Sequence, residues 1–349
     1  MAQRTDGETR PSITQYDLAD HLGIGQKTVS RALAGDLRVA PALRARIDAA
    51  VKELGYRPNH SARSTRTRRF DSVLFIQVVA ESHHRLTPGV IDGIADGLAA
   101  AGRPLVIERL VLSDLAAGGA GPRGLLHAMV DGLLVHVDAE PPAIVDTLLA
   151  ASGLPVVWIN RQQAADAICP DDAGVAALMV RRLVAAGHRR IAWFDRQIGF
   201  RDPQELHHSR PQRIAGFRTA MHEAGLPAMI LSPGYDPGES GHPAWLEAQL
   251  RGALPSAIAC YGSYEALAVQ HAAGRLGIRI PEDLSLITVH HESLVAGVRI
   301  DVAALPTEAL GRAAAAMLTR RISGQPAEPA IEVPCTLIPG ATVTPPRTP

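Results

Sequence analysis

From residue 71 onward, short apolar runs alternate with longer amphipathic segments. Apolar runs of strand length occur at 72–79, 105–110, 132–137, 155–159, 190–194, 257–260 and 285–289. Segments with helical periodicity lie between them, near 88–101, 142–151, 172–186, 211–224, 263–276 and 306–322. This alternation predicts right-handed βαβ units and parallel sheets. About 270 residues of this kind indicate two sheets, and hence two lobes.

A two-lobed chain of this class has a predictable place for a ligand. Ligands of parallel α/β sheets bind beyond the carboxyl ends of the strands. A cleft between two lobes would bring several of these ends together. Aromatic residues make up only 4% of the chain, so we expect cores of Ala, Val, Leu and Ile.

The first 70 residues differ in charge from the rest of the chain. The whole chain has 35 basic and 35 acidic residues. Residues 1–70 contain 13 Lys and Arg but only 7 Asp and Glu. This excess favours a polyanion contact confined to a small head. The alternative is a short polar arm that is basic by chance.

The sequence of the head contains start and stop signals for three short helices. Thr14 to Asp17 fits a capping box that opens the first helix, and Gly23-Ile24-Gly25 ends it. A second helix, 26–33, places Val29, Ala32 and Leu33 on its inner face. The third begins near Pro41 and ends at Gly55. Two helices joined by a short glycine-containing turn are typical of a helix-turn-helix unit.

The head also resembles a known family, the lactose/galactose-repressor family of bacterial transcription regulators. The matching residues are Tyr16-Asp17-Leu18-Ala19, Gly23-Ile24, Lys27-Thr28-Val29-Ser30-Arg31-Ala32-Leu33 and Leu54-Gly55-Tyr56-Arg57-Pro58-Asn59. Such a long ordered pattern is more specific than a generic helix-turn-helix. A three-helix bundle with a solvated basic face is the alternative.

The resemblance implies that the helix starting near Gln26 reads the major groove, which an α-helix fits. Gln26 is then expected to pair with adenine, Lys27 with guanine, and Arg31 with guanine or a phosphate. Thr28, Ser30 and Tyr56 are expected to contact the DNA backbone, which positions without specifying sequence. The full expected DNA-binding set is Tyr16, Gln26, Lys27, Thr28, Ser30, Arg31, Tyr56, Asn59, Ala62, Arg63, Thr65 and Arg66.

Residues 59–70 are expected to be a hinge helix or linker between the helix-turn-helix domain, 11–58, and the core, 71–349. In the family this helix forms on operator DNA and inserts a leucine into the minor groove. Here that position is Thr65, a poorer apolar wedge. The bend is then smaller, or Arg63 and Arg66 carry more of the contact. A disordered basic linker over 63–70 is the alternative.

The core also resembles the family's effector-binding domain, which is similar to periplasmic sugar-binding proteins. The matching segments are Gly153-Leu154-Pro155-Val156-Val157, Gly187-His188-Arg189-Arg190-Ile191-Ala192, Arg213-Ile214-Ala215-Gly216-Phe217 and Pro281-Glu282-Asp283-Leu284-Ser285. The expected fold is therefore an all-α helix-turn-helix head plus an α/β two-lobed periplasmic-binding-protein-like core. The family normally forms homodimers through this core and binds near-palindromic operator DNA.

By the same resemblance, the expected effector contacts are Thr87, Pro88, Asp172, Ser209, Arg213, Gly262, Ser263 and His290. Sugar-binding relatives often carry Asn-Asp at the Gly262-Ser263 position and Asp at His290. The loss of these acceptors favours an anionic effector beside Arg213, and a sugar acid such as gluconate is preferred. Phosphorylated and neutral sugars remain open. For His290, a local hydrogen bond at a strand end is the alternative role.

The sequence contains no motif for a disulfide framework, a metal site or catalysis. Three isolated cysteines exclude a disulfide framework and a zinc ribbon. Adjacent histidines point apart on an extended chain, so the doublets at 83–84, 207–208 and 290–291 do not indicate a metal site. No nucleophile elbow or phosphate loop occurs, so neither an enzyme nor a cofactor is expected.

The remaining expectations concern compartment and function. No apolar run reaches the 18 or so residues of a membrane span, and the polar N-terminus does not fit a signal peptide. We therefore expect a cytoplasmic, effector-controlled regulator, most simply a repressor of a carbohydrate or sugar-acid operon. The alternative is a soluble small-molecule-binding protein without specificity for a DNA site.

Overall fold

The computed structural model divides into two compact units, Met1–Phe70 and Asp71–Pro349. It describes residues 13–33, 35–56, 70–79, 88–116, 129–138, 140–198, 206–234, 242–252, 254–290, 294–295 and 298–347. Each unit has its own apolar core. Of the predicted hinge, 59–70, every residue except Phe70 lies outside the described residues.

The first unit contains three helices, α1 (Gln15–Leu22), α2 (Gln26–Leu33) and α3 (Pro41–Leu54). The predicted capping box is present, since the Asp17 amide donates to Thr14 Oγ1 and the Thr14 amide donates to Asp17 Oδ2. Gly23 ends α1 at a φ of 65°, in the left-handed region that glycine adopts without strain. Leu18, Val29 and Ile47 are fully buried where the helices meet.

The first lobe of the second unit is built on a six-stranded sheet. Its strands are β1 (Val73–Val79), β2 (Leu105–Val111), β3 (Gly132–Val137), β4 (Val156–Ile159), β5 (Ala167–Pro170) and β13 (Ile331–Val333). Their order is β13-β5-β4-β3-β1-β2, and every pair is parallel. The helices of this lobe are α4 (Pro88–Ala100), α5 (Leu112–Ala116), α6 (Ala143–Ala151) and α11 (Thr307–Ile322).

The second lobe contains another six-stranded sheet. Its strands are β6 (Ile191–Phe194), β7 (Met229–Leu231), β8 (Ala257–Cys260), β9 (Ser285–His290), β12 (Asp301–Ala304) and β14 (Thr336–Ile338). Their order is β14-β12-β9-β8-β6-β7, and only the β12–β14 pair is antiparallel. The other elements are α7 (Asp172–Ala185), α8 (Ser209–Glu223), α9 (His242–Gly252), α10 (Ser263–Leu276) and the small hairpin β10 (Leu294–Val295) and β11 (Val298–Arg299).

Within the described residues, the chain passes between the two lobes three times. The passages lie between β5 and α7, between β12 and α11, and between β13 and β14. Two of them run side by side, since the Asp171 amide donates to the Val333 carbonyl at 3.0 Å. Because parallel strands end at the same edge of a sheet, these passages bring the carboxyl ends of both sheets toward one region.

Helices α4 and α11 pack at unusually close range. A Cβ on Gly93 would lie 2.1 Å from the Glu308 carbonyl oxygen, and one on Gly311 would lie 2.2 Å from the Val90 carbonyl oxygen. Only glycine permits this approach, so the returning helix α11 is fixed against the first lobe by two positions without side chains.

The fold class predicted from the sequence is confirmed. The helices and strands that were predicted lie within two residues of their predicted bounds. The short strands β5, β7 and β10 to β14 and the helices α5 and α9 were not predicted from the sequence. Among the described helices, none combines the length and the hydropathy needed to cross a membrane.

Candidate functional site

The outer face of α2 presents the predicted reading residues. Lys27 and Arg31 are exposed, and Gln26 is half-buried with its Nε2 donating to Gln15 Oε1 at 2.7 Å. Arg31 Nε lies 4.0 Å from Asp36 Oδ2, so this cation is held at the end of the helix without being buried. The inner face contributes Val29 and Ala32 to the core. The surface is therefore cationic and accessible.

The other predicted DNA contacts have different surroundings. Thr28 and Ser30 are half-buried on α2, and Tyr16 is 70% exposed on α1. Tyr56 is only 7% exposed and packs in the core of the head, so it has a clear packing role. Its contact with DNA stays a prediction. The remaining residues of the set, Asn59, Ala62, Arg63, Thr65 and Arg66, lie outside the described residues.

In the core, three predicted effector residues meet at the start of two helices. Asp172 is the first residue of α7, whereas Ser209 and Arg213 lie on the first turns of α8. Arg213 Nε donates to Asp172 Oδ1 at 2.8 Å, and both side chains are buried. Burial is the largest single influence and opposes the charge of Arg213, but Asp172, Tyr261 and Cys335 together raise the pKa of Arg213 above its ordinary value.

The aromatic ring of Tyr261 joins these residues to a second arginine. Tyr261 follows β8, and its hydroxyl lies 2.7 Å from Ser209 Oγ. Its carbonyl accepts a hydrogen bond from Arg213 Nη1 at 3.1 Å. The guanidinium carbons of Arg210 and Arg213 lie 3.9 and 4.7 Å from the ring centroid, within the range of cation–π attraction.

Two buried carboxylates lie behind this layer. Asp195 follows β6 and pairs with Arg210, while Glu265 on α10 has its Oε1 3.5 Å from Arg196 Nε. Burial raises the pKa of Asp195, although Arg210 opposes the shift. Burial and then the Asp195 charge raise the pKa of Glu265. The strand ends thus carry acids matched by arginines.

A histidine doublet connects the two lobes. The Nε2 atoms of His207 and His208, in the second lobe, lie 2.9 and 3.1 Å from the carbonyl oxygen of Asn160. Asn160 follows β4 in the first lobe and has a φ of 63°. Burial, and then the neighbouring His208, lower the pKa of His207 to about 3. This doublet is a direct polar contact between the lobes.

Residues 160, 172, 207–210, 213 and 261 form what we call the interlobe cluster. The other predicted effector residues lie around it or outside the described set. Gly262 and Ser263 follow Tyr261 directly and begin α10, and His290 ends β9 with a half-buried side chain. Pro88 begins α4 on the first lobe, and Thr87 lies outside the described residues. The roles of all eight in ligand binding stay predictions.

Several members of the cluster were missed by sequence reasoning, namely Asn160, His207, His208, Arg210 and Tyr261. For two of them the sequence contains a signal that could have predicted a site residue, because Asn160 and Tyr261 each directly follow an apolar run of strand length. Ligand groups gather beyond such strand ends. His207 and His208 had none, since they lie in a loop whose position depends on the other lobe. No group of three or more potential metal ligands occurs within the described ranges.

Comparison with known sequences identifies both parts of the chain. Residues 14–59 match the family described as bacterial regulatory proteins, lacI family, and residues 180–343 match a periplasmic binding protein-like domain. The HTH-type transcriptional regulator CelR of Thermobifida fusca is 29% identical over 341 residues, covering 92% of this chain and 95% of that protein. The HTH-type transcriptional repressor PurR of Yersinia pestis is 29% identical over 328 residues, covering 90% and 92%.

Solved structures agree on the fold. A lac repressor dimer bound to operator and an anti-inducer matches with a TM-score of 0.74 at 20% identity, covering 95% of this chain and 99% of that one. A CelR–cellobiose complex matches with a TM-score of 0.62 at 25% identity and the same coverage. The chain therefore combines a lacI-family helix-turn-helix domain with a periplasmic binding protein-like domain, and its full-length relatives are transcription regulators.

Proposed function

We propose that this regulator is a repressor whose binding to a near-palindromic operator is controlled by a carbohydrate effector, with a sugar acid such as gluconate favoured. The interlobe cluster carries this proposal, because it gathers buried polar groups from both lobes at the carboxyl ends of their strands. The chain would act as a homodimer, with head 11–58, hinge 59–70 and core 71–349.

The DNA part of the proposal rests on α2. Lys27 and Arg31 are exposed on a helix whose opposite face is fixed in the core of the head. A rigid helix with accessible cations can enter the major groove and contact base edges. Two heads related by a two-fold axis would then read the two halves of the operator.

The effector part rests on the chemistry of the cluster. Arg213 and the nearby strand-end His290 are donors suited to a carboxylate. The CelR structure holds cellobiose, which supports a carbohydrate as the ligand class. Binding would shift the core between two states only by its differential affinity for them. A coupling of roughly 1–3 kcal/mol already changes operator affinity about 5–150-fold.

A neutral sugar is the second candidate, favoured by a separate observation. Asp172 Oδ2, Asp195 Oδ2 and Glu265 Oε1 are buried and have no hydrogen-bond partner among the described residues. Buried acceptors of this kind are normally satisfied. Sugar hydroxyls are donors that would satisfy them without adding a negative charge.

The test combines a ligand screen with selection of DNA sites. Thermal unfolding of the full-length protein is measured with sugars, sugar acids and sugar phosphates, because a ligand of the native state raises its stability. Operator sites are selected from random duplex DNA, and their affinity is measured with and without each hit. We expect gluconate to stabilise the protein and to change operator affinity. Affinity should also fall as salt rises, because phosphate contacts release counterions.

Two variants of α8 provide the control. Arg213→Ala should abolish the effector response, whereas Arg218→Ala, an exposed position on the same helix, should leave it intact. A wild-type response in Arg213→Ala would contradict the proposed pocket. Ligand binding without preference for any DNA site would instead indicate a small-molecule-binding protein.

A further inference from the structure

We propose that His207 is a positioning residue with two roles: its Nε2 latches the two lobes together at Asn160, and its Nδ1 orients the Ser209 hydroxyl so that an effector must present a hydrogen-bond donor there. His208 shares the first role. The proposal deepens the function proposed above by naming which ligand groups this corner of the pocket accepts.

The position of the proton on the His207 ring follows from a single acceptor. A backbone carbonyl oxygen only accepts hydrogen bonds. The Nε2 atoms of His207 and His208 lie 2.9 and 3.1 Å from the Asn160 oxygen, so each must carry a proton to form that bond. The same Asn160 is held within its own lobe, because its Nδ2 donates to the Val137 carbonyl at 2.8 Å. The latch therefore joins two fixed points.

The bare Nδ1 of His207 then sets the direction of the next bonds. With its proton on Nε2, a neutral imidazole can only accept at Nδ1. Ser209 Oγ lies 2.8 Å from this nitrogen, and the Ser209 amide also points to it at 3.4 Å. The Ser209 hydroxyl must donate to His207. The Tyr261 hydroxyl, 2.7 Å from Ser209 Oγ, must then donate to Ser209.

The neutral state of His207 is supported by its surroundings. Its side chain is 9% exposed, and its ring centroid lies 4.1 Å from that of His208. The Arg213 guanidinium and His136 also disfavour a second proton, and together with burial they keep the pKa of His207 at about 3. At physiological pH the direction of the bonds is therefore constant.

This direction limits what an effector can place at the corner. The hydroxyl protons of Ser209 and Tyr261 are both committed, so their oxygens offer only lone pairs. Asp172 Oδ2 is another buried acceptor that receives no hydrogen bond from the described residues, with His208 Nδ1 3.8 Å away. A sugar hydroxyl can donate to these atoms, whereas a carboxylate or phosphate cannot. The anionic end of a sugar acid must therefore lie elsewhere in the pocket.

Two amide substitutions separate the two roles. Glutamine places a donor where Nε2 lies, so His207→Gln keeps the bond to Asn160 and loses the acceptor for Ser209. Asparagine places an acceptor near Nδ1, so His207→Asn keeps the bond from Ser209 and loses the latch. Because His208 is a second latch, the variant that should open the lobes is His207→Asn combined with His208→Asn.

The first test measures the separation of the lobes without effector. Spin labels on ketone-bearing residues introduced at Thr147 and Arg218, which are exposed on α6 and α8, report this distance by electron double resonance. Labelled chains are diluted with unlabelled ones. Wild type and His207→Gln should give the same narrow distribution, and the double asparagine variant a broader one with longer distances. An unchanged distribution in the double variant would overturn the latch.

The second test reads the ring protons directly. Nitrogen-15 spectra of the full-length protein with labelled histidine should show His207 protonated at Nε2 and bare at Nδ1 between pH 5 and 8, a window set by its pKa of about 3 and the ordinary value near 6.5. The signal is assigned by its loss in His207→Gln. A proton on Nδ1 would overturn the inferred direction of the Ser209 bond. This test needs no effector, and its readout comes from the wild-type protein.

The third test links the corner to ligand binding, with gluconate as the probe. His207→Gln should weaken gluconate binding roughly fivefold, which corresponds to about 1 kcal/mol for an orienting hydrogen bond. His222→Ala, an exposed histidine on α8, should bind as wild type. Equal affinity in wild type and His207→Gln would remove the second role. If gluconate does not bind wild type, the proposed effector fails, while the first two tests still decide the latch.

Discussion

The head and the core use arginine in opposite ways. On α2 of the head, Arg31 keeps 49% of its side-chain surface exposed, with Asp36 at 4.0 Å. In the core, Arg213 is 7% exposed and forms a close ion pair with a fully buried Asp172. An exposed cation costs little to maintain and is available to an incoming polyanion. A buried one requires a fixed partner, so its role is to shape a site.

This difference teaches where function is encoded. The expected reading face of the head consists of neighbours along one helix, so the order of residues determines it. The interlobe cluster is assembled from β4, β8, α7, α8 and the loop before α8. Its groups are distant in sequence, and each depends on the others for charge balance or hydrogen bonds. Substitutions should therefore affect stability mainly in the core, and DNA binding mainly in the head.

The largest effect is expected from breaking the buried ion pair. Asp172→Ala leaves the Arg213 guanidinium buried without its partner, which should lower the free energy of unfolding by roughly 3–5 kcal/mol. Denaturant unfolding followed by tryptophan fluorescence reports on the core alone, because Trp158, Trp193 and Trp245 all lie there. In the head, Asp36→Ala breaks the pair with Arg38, which is 78% exposed, and should cause a much smaller loss of stability, measured by amide hydrogen exchange of the head. Similar losses in both variants would contradict the comparison.

The second effect concerns pH. Unfolded chains protonate histidine near pH 6.5, whereas folded His207 resists protonation down to about 3. Between these values the unfolded state binds more protons, so the contribution of His207 is complete above pH 6.5 and is lost as pH falls toward 3. The full contribution is roughly 3–5 kcal/mol.

The matching measurement is unfolding free energy across pH 4 to 7 for wild type and His207→Gln. The difference in the free energy of unfolding between wild type and His207→Gln should become smaller as pH falls, because the wild type loses more stability on acidification. His222→Ala should parallel the wild type, since that histidine is exposed. Parallel curves for wild type and His207→Gln would mean that His207 titrates normally.

The third effect sharpens the description of the head. Arg31→Ala should weaken binding to the selected operator by roughly 1–3 kcal/mol if the side chain contacts a base. Lys52 is an exposed cation on α3 outside the expected reading set, so Lys52→Ala should weaken operator binding less. The unfolding of the core should be unchanged in both. Wild-type affinity in Arg31→Ala would remove this residue from the reading face.

The smallest effect tests local encoding in the head. Thr14→Ala removes the hydroxyl that accepts from the Asp17 amide at 3.3 Å, so α1 should lose about 1 kcal/mol of stability. Amide hydrogen exchange of α1 residues measures this loss, and exchange in the core provides the reference. Thr147→Ala, which removes an exposed hydroxyl within α6, should leave exchange in α1 unchanged. Unaltered protection of α1 in Thr14→Ala would mean that the cap is dispensable.

Much of the fold was predictable, for reasons visible in particular elements. The bounds of α2 and α10 agree with the periodicity of their apolar residues, and β3 and β8 with their apolar runs. Strand β13 could not be predicted from the sequence, because Ile331 to Val333 is a strand only through its parallel pairing with Ile168 to Pro170. Its residues are adjacent to their partners only after the chain has returned from the second lobe.

The site divides in the same way. The order of residues alone specified the capped helix α1, the exposed cations of α2 and the resemblance that placed Arg213 in the pocket. Only the folded chain put the Asn160 carbonyl within reach of His207 and His208, and Tyr261 against two guanidiniums. Local order fixes helices because their hydrogen bonds join residues four positions apart. A cluster between lobes is decided by burial and charge pairing among residues up to 100 positions apart, and these interactions exist only after both sheets have formed.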